Sequence, residues 1–153
     1  MGKTVATNKR ARRNYDFEEF YEAGMVLRGT EVKSLREHRC SLKDGYAKIT
    51  DEEAYLYSVH IARYEQGNRE NHKPRRKRKL LLRKPEIKRL IGKTQQKGYS
   101  LIPLEIYFKR GYAKVKLGLG KGKKDYDKRK KLKEKDQKRR IEKEIKEHTR
   151  RQF

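Results

Sequence analysis

The chain has 153 residues and a formal net charge of +24, from 45 Lys and Arg against 21 Asp and Glu. A charged fraction of 43% fits many Lys- and Glu-rich surfaces, but so one-sided an excess, with a pI near 10.2, points to a polyanion. Nucleic acid stands ahead of acidic lipid as that partner. No run of about 18 apolar residues is present to span a membrane, and Cys40, standing alone, excludes an intrachain disulfide or a cysteine-based zinc cluster.

Residues 1–13 read as a basic, polar arm ending in Asn8-Lys9-Arg10-Ala11-Arg12-Arg13, with no apolar stretch behind it for a secretory signal. Apolar patterning starts at Tyr15 and runs to Leu27, with Gly24 and Gly29 placed as at strand bends. Thr30 is a candidate N-cap for a short helix carrying Val32 and Leu35 on one face. Gly45–Ile49 and Ala54–Ile61 predict two strands joined by the polar turn Thr50-Asp51-Glu52-Glu53, with Tyr55, Tyr57, Val59 and Ile61 on one face. A polar loop over 63–79 ends in the cation run Arg75-Arg76-Lys77-Arg78-Lys79, whose mutual repulsion favours an anionic partner.

Leu80 to Gly98 is predicted helical, with Pro85 in the first turn and Ile87, Leu90 and Ile91 sharing a face. The clearest hairpin follows. Ile102, Leu104, Ile106 and Phe108 alternate on one strand, Ala113, Val115, Leu117 and Leu119 on its partner, and Lys109-Arg110-Gly111 connects them. Its other face mixes Tyr107 and Tyr112 with Lys114 and Lys116. Five or six antiparallel strands and two short helices within 14–120 predict a mainly β fold, an OB-type antiparallel β-barrel.

The last third is different. Residues 1–120 carry 29 basic and 14 acidic residues, and residues 121–153 carry 16 and 7, so both parts share the excess. Beyond Tyr126 the large apolar residues are Leu132, Ile141, Ile145 and Phe153, too little apolar surface to offset chain ordering of about 1–2 kcal/mol per residue. Residues 121–153 are therefore expected to be disordered in isolation. Charge pairs four apart, such as Glu134–Lys138 and Glu142–Lys146, poise them to become helical on a polyanion.

Catalytic chemistry finds little support. His38, His60, His72 and His148 show no metal-ligand spacing, and Gly118-Leu119-Gly120-Lys121-Gly122-Lys123 lacks the spacing and the Ser or Thr of a phosphate-binding loop. His72, beside the cation run, is the one candidate for ribonuclease acid–base work, and it lacks an evident partner. No cofactor and no metal are expected.

Taken in order, Asn8-Lys9-Arg10-Ala11-Arg12, Tyr21-Glu22-Ala23-Gly24, Gly29 to Arg36, Arg78-Lys79-Leu80-Leu81-Leu82, and Gly122-Lys123-Lys124 with Asp127-Lys128-Arg129 resemble the SsrA-binding protein family. That family, also called small protein B, is the partner of bacterial transfer-messenger RNA (tmRNA). The resemblance implies a cytoplasmic, non-enzymatic protein, monomeric on RNA, whose barrel binds the tRNA-like domain of tmRNA. It implies a tail that enters the vacant decoding centre and mRNA path of a stalled ribosome, against small-subunit rRNA, for trans-translation. By that resemblance Asn8, Arg10, Tyr15, Glu22 and Leu81 face tmRNA. Lys9, Arg12, Lys33, Arg36, Arg78 and Lys79 lie in the same matched stretches, and Arg76 and His72 join them as candidates from the basic loop. Lys123, Lys124, Tyr126, Asp127, Lys128 and Arg129 match the ribosome-directed tail element, with Tyr126 keeping a flat ring able to stack on a base. A basic structural ribosomal protein with an RNA-binding extension is the alternative on composition.

Overall fold

The computed structural model describes residues 3–123 and 137–146. In chain order the first stretch forms β1 (Lys3–Thr7), α1 (Lys9–Asn14), β2 (Tyr15–Met25), α2 (Gly29–Arg36), β3 (Cys40–Ser41), β4 (Tyr46–Thr50) and β5 (Glu53–Tyr57). There follow β6 (His60–Ile61), a 3₁₀ turn (Glu65–Glu70), β7 (Arg78–Leu81), α3 (Lys84–Thr94), β8 (Tyr99–Lys109) and β9 (Tyr112–Gly122). A seven-stranded sheet has the order β1-β8-β4-β5-β7-β2-β9, and because β9 also pairs with β8 the six strands from β8 to β9 close into a ring, with β1 added at the edge of β8. Every ladder is antiparallel. The result is a β-ring of OB type, as the sequence predicts. Residues 123–153 form a separate unit, in which 137–146 is helical and includes the Glu142–Lys146 pair.

The two tight hairpins close as sequence patterning predicts. Arg110 (φ 52°) and Gly111 (φ 80°) turn β8 into β9, and Asp51 (φ 50°) and Glu52 (φ 63°) turn β4 into β5. Two successive left-handed residues match the twist of the flanking strands. Between β8 and β9 the register shifts at Pro103/Glu105. That shift changes the expected alternation. Leu101 and Ile106 pack in the main core with Leu56, Leu80, Leu117 and Leu119, while Ile102 and Leu104 pack with Ala11 in a smaller cluster. At the crossing of β2 and β9, a Cβ on Gly120 would lie 2.2 Å from the Asp16 carbonyl oxygen, so only glycine permits that approach.

Several local expectations are corrected. Within residues 1–13, read as an arm outside the barrel, Lys3–Thr7 supplies an edge strand on β8 and Lys9 starts a helix that runs to Asn14. Asn8 makes the difference: its Nδ2 donates to the carbonyls of Leu42 (3.2 Å) and Pro103 (3.1 Å), and its Oδ1 accepts from Ala11 N–H (3.2 Å). Leu80 and Leu81 belong to β7, and the helix after them begins at Lys84. Tyr55 and Tyr57 do not share a face with Val59 and Ile61, because Ser58 (φ 60°) breaks the alternation after β5. Val59 and Ile61 are buried, whereas the two tyrosines are half-buried. Thr30 does not cap α2; it hydrogen-bonds to His72 (2.8 Å).

A buried ion pair ties α2 to the sheet. Glu31 and Arg78, both fully buried, are bonded through Arg78 Nε. Arg76 adds a second guanidinium, and the Arg28 N–H donates to Glu31 at 2.8 Å as the first turn of α2 forms. Arg78 also donates to the carbonyls of Val59 (2.7 Å) and Pro74 (2.9 Å). Burial pushes the Glu31 carboxyl up, but bonds from Arg76, Arg28 and Arg78 outweigh it and hold the pKa below the ordinary value.

Glu31→Gln should therefore cost about 3–5 kcal/mol, because it leaves the Arg78 charge buried without its counter-ion. A lowered folded-state pKa stabilises above the unfolded carboxyl value of about 4.3, and that gain is lost as pH falls through the folded value. Urea unfolding from pH 7 to 3 should show this acid-sensitive component in the parent chain and less of it in the variant.

Candidate nucleic-acid interface

Strand register builds an outward face from β7, β2, β9 and β8. Leu81 pairs with Gly24, Gly24 with Lys114, and Lys114 with Tyr107, so these four positions form one row across the sheet. The next row is Glu22–Lys116–Glu105, and beyond it Phe20 lies opposite Gly118. Leu81 and Phe20 are each 55% exposed. Glycine at position 24 lets Leu81 and a lysine crowd together: a Cβ there would meet Leu81 Cβ at 3.3 Å and Lys114 Nζ at 3.6 Å. Lys116 Nζ lies 4.9 Å from the centre of the Phe20 ring.

Glu22 is held within this face. Tyr107 donates its hydroxyl to the carboxylate, and Lys109 Nζ lies 3.4 Å away. The Tyr107 hydrogen bond, with Lys109 and Lys114 nearby, keeps the Glu22 pKa below its ordinary value. A fixed carboxylate among cations repels phosphate locally and leaves lone pairs for a base N–H or a 2′-hydroxyl. The face thus offers apolar and aromatic contact, two lysines for phosphate, and one oriented acceptor.

A second basic surface lies at the N-terminal segment. Asn8 is buried and acts as the peg for α1, which exposes Lys9, Arg10, Arg12 and Arg13 while burying Ala11. Beside it opens a cleft of about 670 Å³ whose lining includes Arg10, Tyr15, Lys43 and Tyr99. Lys121 Nζ lies 4.9 Å from the Tyr99 ring.

The remaining candidates divide by burial. Lys33 and Arg36 lie on α2, with Lys33 Nζ 5.3 Å from the Tyr64 ring and Arg36 Cζ 4.7 Å from the Phe108 ring. Lys79 faces outward in β7 and pairs with Glu53 at 3.2 Å. Arg78 and His72 are buried, so neither is placed to touch RNA directly, and Arg76 is turned toward Glu31. The cation run reads as uniform, but β7 alternates, and Arg78 shares the inward phase of Leu80.

His72 also loses its standing as a nuclease base. Its Nε2 faces the Ile61 carbonyl at 2.9 Å and must donate there, so Nδ1 accepts from the Thr30 hydroxyl. Both ring nitrogens are used inside the fold. Burial pushes the Cys40 thiol up to about 11, which removes a thiolate at neutral pH. Among the described residues no group of three His, Cys, Asp or Glu is placed to hold a metal, and no helix is long and apolar enough to cross a membrane. Lys123 follows the last residue of β9; Lys124, Tyr126, Asp127, Lys128 and Arg129 lie outside the described residues.

Phe20, Lys114 and Lys116 are the contributors that site assignment from sequence omits. Parity exposes two of them, because Lys114 and Lys116 alternate with the buried Val115 and Leu117. Phe20 needs the β2–β9 register, which no local pattern carries.

Comparison with known proteins agrees with this architecture. The SmpB protein family is matched over residues 5–147. The SsrA-binding protein of Shouchella clausii strain KSM-K16 is 59% identical over 149 residues, covering 97% of this chain and 96% of its own. That of Halalkalibacterium halodurans is 56% identical over 149 residues, covering 97% of each chain. A solved chain from "tmRNA-SmpB: a journey to the center of the bacterial ribosome" is 55% identical, with a TM-score of 0.67 over 78% of this chain and 85% of that one.

Leu81→Ala separates binding from folding. Its exposure predicts a stability change within roughly 1 kcal/mol, whereas removal of an apolar side chain from beneath an unstacked base should weaken structured-RNA binding about tenfold. Lys114→Gln with Lys116→Gln should weaken binding and flatten the slope of log K against log salt by about 0.7–0.9 for each phosphate no longer neutralised. Thermal unfolding and anisotropy titrations at several salt concentrations measure both.

Proposed function

The chain belongs to the SmpB family of SsrA-binding proteins, and on that premise we propose that its barrel holds the tRNA-like domain of tmRNA and delivers it to stalled ribosomes for trans-translation. The supporting observation is the outward face around Gly24. Leu81, Phe20, Lys114, Lys116 and the tethered Glu22 are brought together there by strand register from segments far apart in sequence. Lysines neutralise phosphate, the exposed apolar groups meet unstacked bases, and the carboxylate admits a hydrogen-bond donor where it repels phosphate. Lys9, Arg10 and Arg12 on α1 extend the positive field along the same molecule.

The tail completes the function. In this reading Lys123, Lys124, Tyr126, Asp127, Lys128 and Arg129 enter the vacant decoding centre of the small subunit, and the residues after them lie as a helix in the empty mRNA path. The charge pattern suits that path: residues 121–153 hold 16 cations against 7 carboxylates, and helix is present over 137–146. Exposed Ile141 and Ile145, one turn apart, add a narrow apolar contact. The protein works in the cytoplasm as a monomer on RNA and catalyses no reaction.

A chain ending at Asp125 tests the division of labour. Binding to a tRNA-like tmRNA fragment should change by less than about threefold, because the body retains most of the charge and the Gly24 face. Peptide tagging on stalled ribosomes should be abolished. Equal loss of both activities would refute separable roles, and a fragment bound no better than an arbitrary RNA hairpin in moderate salt would refute the RNA assignment.

A further inference from the structure

The ring carries a second outward surface that the face around Gly24 does not use. β4, β5 and β7 pair so that Lys48 is opposite Tyr55, and Tyr55 is opposite Lys79. Two residues along, Tyr46 pairs with Tyr57, and their rings stack with centroids 5.3 Å apart and planes 12° from parallel. Lys77 Nζ lies 4.2 Å from the centre of the Tyr55 ring and 5.9 Å from that of Tyr57. Lys48 Nζ lies 5.4 Å from the Tyr46 ring. Glu53 also belongs to this strand, and it is tied to the Tyr55 hydroxyl and to Lys79.

We propose that this tyrosine–lysine face binds single-stranded RNA by base stacking, at a site separate from the Gly24 face to which the proposed function gives structured RNA. It rests on the reading of the chain as an RNA-binding protein. Three flat side chains, Tyr55 and Tyr57 two residues apart on β5 and Tyr46 opposite Tyr57 on β4, present ring area that unpaired bases can cover. The interleaved ammonium groups can exchange their ring contacts for phosphates without moving the backbone. A folded duplex hides its base faces inside the stack and cannot use such a platform. Direction also favours an extended strand. Tyr46 and Lys48 line the cleft beside α1, so the platform continues into a groove that already contains Arg10 and Lys43. A single strand laid along it meets cations at both ends and rings in the middle.

The test uses the full chain, a fluorescein-labelled oligo(U) 12-mer, and the tRNA-like tmRNA fragment, each titrated by anisotropy at the same moderate salt. Tyr57→Leu and Lys77→Gln should each weaken oligo(U) binding at least about fivefold, with Tyr57→Phe close to the parent, because stacking needs the ring and not the hydroxyl. Affinity for the tRNA-like fragment should move less than about twofold in the same variants, and thermal unfolding should confirm that each is folded. Lys77 is exposed, so its variant keeps the test valid if Tyr57→Leu unfolds. Absence of oligo(U) binding by the parent chain, or unchanged oligo(U) binding in the variants, overturns the proposal. Equal weakening for both RNAs overturns it too, and so does competition by poly-glutamate as effective as unlabelled oligo(U). Failure of the parent chain to bind the tRNA-like fragment, with oligo(U) binding abolished in the variants, would instead refute the function proposed above and leave this site standing.

Discussion

The Glu31–Arg78 pair is the constraint on which the rest of the body depends. Its two members come from positions 47 apart in sequence, and both are removed from water. Each isolated charge would be costly there, so the pair is tolerated because both Glu31 oxygens and all three guanidinium nitrogens of Arg78 find partners. Glu31 accepts from Arg76, Arg78 and the first-turn N–H of α2. Arg78 reaches the Val59 and Pro74 carbonyls. One cluster thereby fixes α2, the segment after β5 and the entry to β7. Because β7 is the strand that pairs with β2 at Gly24–Leu81, the same cluster sets the position of Leu81 on the outward face around Gly24.

That link explains why the basic run from 75 to 79 serves two ends. Alternation divides it: Arg78 points inward, while Lys77 and Lys79 are exposed. A uniformly solvated run would repel itself and leave β7 without an anchor. Turning Arg78 into the core converts one of those charges into a structural contact and reduces the repulsion among the others. His72 plays a quieter version of the same part, joining Thr30 on α2 to the Ile61 carbonyl.

The hairpins and the helix after Pro85 were legible in the sequence because their signals are local. Arg110-Gly111 and Asp51-Glu52 sit between alternating strands, and Pro85 falls in the first turn of α3. What local patterning missed depended on distant partners. The N-terminal residues look like an arm until Asn8 is seen bonding to Leu42 and Pro103. Arg78 and His72 look like surface cations and a surface ring until their partners on α2 are in place. The face around Gly24 was half legible. Glu22 and Leu81 emerge from the family resemblance and Lys114 and Lys116 from parity, but their union with Phe20 requires the β2–β9 register.

Charge gives this protein reach, and the few uncharged or oppositely charged groups give it choice. A body with 29 cations and 14 carboxylates attracts any RNA, and that attraction carries no shape information. Glu22 works against the general attraction at one point, and Tyr107 and Lys109 keep it there as a carboxylate. Backbone phosphate approaching that point is disfavoured, so in the proposed function the RNA presents a donor there instead. In the same proposal Leu81 and Phe20 add a second requirement, since exposed apolar side chains gain nothing from phosphate and much from an unstacked base. In the function proposed for the chain, discrimination is assigned to this small patch within a strongly basic field, and the patch takes its geometry from the strand register and the buried pair that anchors β7.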